Sequence, residues 1–251
     1  MYNAFISTNN LTIGYDKHIV QRDLSFSLQV GEMVCMLGPN GCGKSTLLRT
    51  LAGLLPALSG SFTLAHIQDA IDQKPQTALV LTERLSVENT TVHDVVAMGR
   101  YPYTSFLGGL TPEDEAIISE SLNAVGFADL STLQSKFSAH SDGEKQRILI
   151  AKAIAQQTPI ILLDEPTAHL DLPNRIRILQ LLRKLAHTQK KTILISTHEL
   201  ELAIQLSDRI LLMSEQGIIL DTANALRQSN AFTKAFGMDI FHPLNPEKLK
   251  D

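Results

Sequence analysis

The rhythm of apolar and polar positions changes three times along this chain. Ala4 to Ile13 reads as extended chain interrupted by a polar pair, and Gly14-Tyr15-Asp16 reads as a turn. Ser25 to Val30 alternates polar and apolar, as a half-buried antiparallel strand does. Gly31-Glu32 connects it to an unbroken apolar run, Met33 to Leu37. A helix is expected over Leu47 to Leu54, ending near Pro56. Phe62-Thr63-Leu64 and Ala78 to Leu81 are further strand candidates. The amino end therefore predicts a small antiparallel sheet feeding a larger core.

From about residue 85 to 158 the rhythm is helical. Val92, Val95, Val96 and Met98 follow Thr91 at helical spacing. Thr111-Pro112-Glu113-Asp114 is a helix start, with a hydroxyl cap, proline at the first position and acids in the first turn. Ile117, Ile118, Leu122 and Val125 form its apolar stripe, and Gly126 is its expected stop. Between these helices Arg100 to Gly109 is a loop of aromatic and small residues, either packed on the surface or docking a partner. Ser141, with Glu144 three residues on, opens another helix as a capping box.

A continuously apolar run, Ile160 to Leu163, then suits a strand buried on both faces of a parallel sheet, and Thr192 to Ser196 reads as another buried strand. A helix carrying Ile176, Ile178, Leu179, Leu181, Leu182 and Leu185 separates them. Arg209 to Met213 and Ile218 to Leu220 flank Glu215-Gln216-Gly217 as a hairpin, followed by two short helical candidates. The expected fold is α/β. A mixed or parallel sheet core (about 1–84 and 159–251) has an N-terminal antiparallel β subdomain and carries an inserted α-helical subdomain (about 85–158).

Composition narrows the functional classes. The 251 residues, 44% hydrophobic, suffice for a buried core. A net charge of -4 and the absence of Trp argue against a nucleic-acid binder with stacking platforms. A disulfide between the two cysteines, Cys35 and Cys42, would distort the loop that holds Cys42, so a reducing compartment fits. No apolar stretch approaches 18 residues, and the start lacks a basic segment followed by an apolar core. Neither a membrane span nor a secretion signal is expected.

The candidate chemistry lies at strand ends. Gly38-Pro39-Asn40-Gly41-Cys42-Gly43-Lys44-Ser45-Thr46 joins the Met33–Leu37 run to a helix and fits G-x-x-x-x-G-K-[ST], the P-loop. Its glycines let successive N–H groups point at one phosphate chain, and the helix offers its positive end to the same anion. The motif assigns Lys44 to the β- and γ-phosphates and the Ser45 hydroxyl to Mg²⁺. Asp164-Glu165 ends one buried strand, where two acids are costly to bury unless a cation compensates. His198 ends the next, at the edge where α/β sheets bind ligands.

With these motifs in this order, the chain resembles the ATP-binding subunit of an ABC transporter over almost its whole length. Its core would then be of the P-loop NTPase type. Ser141-Asp142-Gly143-Glu144 with Lys145-Gln146-Arg147 is similar to the family signature, and Ile160 to Asp164 with Glu165 to the Walker B strand and its catalytic acid. Ala168-His169-Leu170-Asp171 resembles the loop that reaches across the dimer, His198 the switch histidine, and Tyr15 the aromatic that stacks on adenine.

The resemblance implies ATP and Mg²⁺ as cofactors, with Glu165 and His198 catalytic and Ser45 and Asp164 on the metal. It also implies a homodimer in which Ser141, Gly143 and Asp171 serve the ATP bound by the other copy. The remaining partners are permease subunits at the cytoplasmic face of the membrane, with a substrate-binding protein engaged indirectly and no nucleic acid.

Three departures from the pattern stand out. His140 and Asp142 replace the signature's Leu and first Gly, and Asp142 turns its carboxylate outward or pairs with a base. Thr82, with Glu83 beside it, stands where the family has Gln, and either is a candidate oxygen for Mg²⁺ or water. His169 replaces a small residue or Asn. Thr91-Val92-x-Asp94-x-Val96-x-x-Gly99-Arg100-x-Pro102-Tyr103 looks like importers of iron-siderophore, haem and vitamin B12 type. Another cargo, a soluble ABC ATPase and a binding module without hydrolysis remain alternatives at this point.

Overall fold

The computed structural model describes residues 4–64, 75–81, 89–104 and 109–237. Its central element is a six-stranded sheet in the order β5-β6-β7-β3-β8-β9. The strands are β3 (Met33–Leu37), β5 (Thr77–Val80), β6 (Ile160–Asp164), β7 (Thr192–Ser196), β8 (Arg209–Ser214) and β9 (Gly217–Asp221). All pair in parallel except the β8–β9 hairpin. A second, antiparallel sheet holds β1 (Ala4–Tyr15), β2 (His18–Gln29) and β4 (Ser59–Leu64) in the order β2-β1-β4.

The apolar runs explain the layers. Every residue of β3, β6 and β7 is buried, because the sheet is covered on both faces. Cys35, Leu37, Ile161, Leu163, Ile193 and Ile195 face one core, shared with Val92, Ile118, Ile148 and Leu182 on helices. Val34, Met36, Leu162, Leu194 and Met213 face another, closed by the β1–β2 sheet and α1 (Lys44–Leu51). Alternation along each strand thus distributes one apolar run between two cores.

Between β5 and β6 the described chain is helical or loop apart from a single bridge, Thr91 to Lys136. It comprises α2 (Val92–Ala97), a 3₁₀ segment over Met98–Tyr103, α3 (Pro112–Ala124), α4 (Leu130–Leu133), a second 3₁₀ turn over Phe137–Ala139 and α5 (Asp142–Ala155). Capping boxes at Thr91, Thr111 and Ser141 start α2, α3 and α5. The aromatic loop packs inward at Arg100, which is buried against Asp114 at 2.8 Å and donates to the Ala155 carbonyl. Its guanidinium also lies 4.1 Å from the centre of the Tyr103 ring, while Tyr101 stays exposed. After β6 come α6 (Leu172–Gln189), α7 (Leu200–Leu206), α8 (Ala223–Gln228) and α9 (Ala231–Phe236).

Several boundaries differ from expectation: β2 starts at His18 instead of Ser25, and the start of the expected Arg100–Gly109 loop is 3₁₀ helix through Tyr103. β1 runs through Gly14 and Tyr15, which pair with Ile19 and His18, so the turn begins at Asp16, where φ is 50°. α1 stops at Leu51, before the leucines ahead of Pro56. Gly53 at φ 76° reverses the chain, and the Leu54 amide returns to the Arg49 carbonyl.

Candidate active site

Parallel pairing brings the carboxyl ends of β3, β6, β7 and β8 to one edge. Asp164 stands opposite Ser196, and Ser196 opposite Met36, so Walker B and the base of the P-loop are level across β7. There the P-loop leaves β3, Asp164-Glu165 leaves β6 and Thr197-His198 leaves β7.

The loop from Gly38 to Gly43 wraps onto α1. A side chain at Gly38 would place its Cβ 2.3 Å from the Met213 carbonyl oxygen. Gly43, at φ 101°, is the helix N-cap and would bring a Cβ within 2.8 Å of Val20. No side chain caps α1, and its first turn holds no acid. Its leading N–H groups are therefore left without a side-chain cap at the positive end of the helix, an arrangement that favours an anion. Lys44 is buried, and its Nζ donates to the carbonyls of Gly38 (2.9 Å) and Pro39 (3.1 Å). Cys42 lies 3.9 Å from that amine, but burial, outweighing Lys44, raises its pKa and keeps it a thiol. Ser45 follows Lys44 in the first turn, and Thr46 donates to the Tyr15 hydroxyl at 3.4 Å. Tyr15 is 41% exposed at the end of β1, leaving its ring free to stack. Asn40 and Gly41 form the loop tip, beside a cleft of about 410 Å³ lined by the β8–β9 turn and α9.

Ser196 organises the acidic side of the site. Its hydroxyl donates to Asp164 Oδ1 at 2.6 Å and accepts from the Glu165 amide at 2.9 Å. The Ser196 carbonyl accepts from the same amide at 3.1 Å. Glu165 holds φ 46°, a left-handed conformation for a non-glycine residue. This turn aims its carboxylate at His198, with Oε1 2.5 Å from Nε2. Strained backbone fixed by surrounding bonds is characteristic of functional positions.

Ser141 caps α5 some distance along the chain from these strand ends. Its hydroxyl donates to Glu144 Oε2 (2.8 Å) and accepts from the Glu144 amide (3.3 Å). The Ser141 amide and hydroxyl hold the Glu144 carboxyl below its ordinary pKa. Asp142 pairs with Lys145 at 3.9 Å, the base-paired option. His140 bridges the Ser135 hydroxyl (2.7 Å) and Glu144 (3.6 Å), its ring edge-on to Phe127. The α5 end, with Gly143, packs against His169 and Leu170. Asp171 caps α6, accepting from the Asn174 amide at 3.1 Å.

The structure thus gathers the P-loop, Asp164, Glu165 and His198 at one edge, and the α5 start with Gly143 meets the loop after β6 that ends at Asp171. Thr82 and its neighbour Glu83 lie outside the described residues. Sequence reasoning missed Ser196, whose signal is a hydroxyl closing an otherwise apolar strand. It also missed Gln21, whose amide ties the Cys42 and Ser214 carbonyls together at 3.1 and 2.8 Å.

Residues 21–168 match the model of the ABC transporter family. An uncharacterized ABC transporter ATP-binding protein of Methanocaldococcus jannaschii is 41% identical over 85% of this chain and 74% of its own length. The iron(3+)-hydroxamate import ATP-binding protein of Bacillus subtilis is 36% identical over 98% of this chain and 92% of its own. A solved metal-chelate type ABC transporter in an inward-facing conformation superposes with a TM-score of 0.82, at 30% identity, covering 94% of this chain and 90% of that one. Motif order, strand-edge geometry and these likenesses agree that the chain belongs to the ATP-binding subunits of ABC transporters.

Proposed function

We propose that two copies of this chain hydrolyse ATP–Mg²⁺ between them and drive a permease that imports an iron chelate (siderophore or haem) or a cobalamin-like cargo. The observation that carries the hydrolytic reading is Glu165, pinned by Ser196 in a left-handed turn with its carboxylate on His198. There it takes a proton from the water that attacks the γ-phosphate, while His198 contacts that phosphate. The P-loop amides and Lys44 hold the phosphate chain, and Tyr15 stacks on the adenine.

The Ser45 hydroxyl and the Asp164 carboxylate are hard oxygen donors, a set that suits Mg²⁺ sharing its shell with phosphate and water. Magnesium held there offsets phosphate charge. The Ser141–Gly143 end of α5 and Asp171 complete the site of the facing copy. A γ-phosphate at Ser141 exchanges places with the Glu144 carboxylate as partner of the hydroxyl, so closure depends on ATP.

The helical subdomain passes closure to the permease at the cytoplasmic face of the membrane, where this subunit binds peripherally. Among the described residues no helix is long and apolar enough to cross a membrane. The cargo class is supported by the hydroxamate importer of B. subtilis and by the metal-chelate transporter above.

The test joins two measurements. Glu165→Gln should keep ATP binding and lose turnover at least ~100-fold, as removal of a general base does. The wild-type subunit, reconstituted with its permease, should accumulate a ferric siderophore, haem or cobalamin in vesicles only with ATP. Unchanged turnover removes Glu165 from the chemistry, and uptake of none of the three rejects the cargo class.

A further inference from the structure

We infer that Arg175 and Glu199 form a positioning pair that couples one ATP site to the other. The inference rests on the two-copy reading above. Glu199 follows His198 directly. Its carboxylate accepts from the Thr167 hydroxyl at 3.1 Å and lies 3.2 Å from an Arg175 terminal nitrogen. Arg175, in the first turns of α6, also donates its Nε to the Leu170 carbonyl at 2.6 Å. One guanidinium therefore clamps the loop after β7 to the loop after β6.

The far side of that second loop meets the signature. A Cβ at Gly143 would fall 3.0 Å from the His169 carbonyl oxygen and 3.3 Å from Leu170 Cδ2. Only a glycine fits against His169 and Leu170 there, so a displacement of Leu170 bears on the α5 start. A continuous path runs from His198 through Glu199, Arg175 and Leu170 to the α5 end. Its first member reads the γ-phosphate on this chain's own P-loop. Its last serves the phosphate held by the facing copy.

The chemistry fits coupling better than support. Both side chains are partly open to water, Arg175 by 33% and Glu199 by 21%, and such pairs add little to stability. What the pair supplies is geometry. A planar fork donates to the carboxylate and the carbonyl from two separate, rigidly spaced nitrogens, whereas a lysine ammonium offers all its donors from one nitrogen on a flexible stem. Coupling between sites needs one element that both sites bias, and the clamped Thr167–Asp171 segment is that element.

The experiment uses the complete ATPase–permease complex. Steady-state hydrolysis is measured against ATP concentration for wild type, Arg175→Ala, Arg175→Lys, Glu199→Ala and the double alanine variant. Nucleotide binding by each isolated subunit and its melting temperature are measured alongside. Wild type should be cooperative, with a Hill coefficient approaching about 2, the number of sites. Arg175→Ala should fall toward about 1 with reduced kcat, while binding by the isolated subunit is unchanged.

Arg175→Lys should melt like wild type yet also lose cooperativity. The double variant should be no worse than either single one, as members of one linkage behave. Unchanged cooperativity in Arg175→Ala, full cooperativity with lysine, or additive single effects overturn the coupling. A wild type that is itself non-cooperative overturns the two-copy reading beneath it.

Discussion

Replacing Ser196 by Ala removes one hydroxyl and tests the acidic side of the site. The hydroxyl is fully buried and makes two bonds, a 2.6 Å donation to the Asp164 carboxylate and a 2.9 Å acceptance from the Glu165 amide. A hydrogen bond to a charged group contributes about 1.5–3 kcal/mol. The amide keeps the Ser196 carbonyl at 3.1 Å as its second acceptor, so that side costs less. Alanine lacks only the oxygen, and the void is smaller than a methyl group. The sum is a loss of about 2–3 kcal/mol in stability without nucleotide.

The same change frees the left-handed turn at Glu165. If about 1.4 kcal/mol of the positioning is lost at the transition state, kcat falls about tenfold. Urea unfolding with a chelator present reads the first quantity, and phosphate release at saturating ATP reads the second. A variant within about 0.5 kcal/mol of wild type, with kcat unchanged, would refute the role given to Ser196.

Other perturbations follow from the same contacts. Lys44→Ala should abolish tight ATP binding in titration calorimetry, because it removes both the phosphate cation and the clamp on the Gly38 and Pro39 carbonyls; retained micromolar affinity would contradict the cradle. The Asp114 carboxyl is held at about 2, chiefly by the Thr111 amide and then by the Thr111 hydroxyl and Arg100. Its folded pKa lies below the ordinary 3.8, so its contribution, about 2 kcal/mol before solvent screening, is present above that value and fades as pH falls toward 2. Asp114→Asn should therefore be less stable than wild type at pH 7, with the gap closing on acidification; parallel stability profiles down to pH 2 would contradict it.

How far the chain could be read from sequence followed from how local each determinant is. β6 and β7 are legible because the consecutive apolar residues Ile160 to Leu163 and Ile193 to Ile195 leave no polar face. The P-loop and the α5 start are legible because their chemistry sits within nine and four consecutive residues. What escaped depends on distant partners. Ser196 acquires its role from Asp164, 32 residues away, and Arg175 from Glu199 across two loops. The short α7 carries a weak helical pattern, and it forms where Glu199 starts the turn and its amide meets the Thr197 hydroxyl. Gly14 suggested a turn because glycine often marks one, yet strand pairing kept it in β1.

The contacts of Lys44 carry a consequence for how the subunit meets its fuel. The ammonium bridges two carbonyls of its own loop, and these internal bonds help hold the curve of the receptor for ATP. Binding then swaps internal partners for phosphate oxygens instead of ordering a floppy segment. Capture of ATP should therefore be fast and weakly dependent on temperature, leaving the slow event of the cycle to a later step.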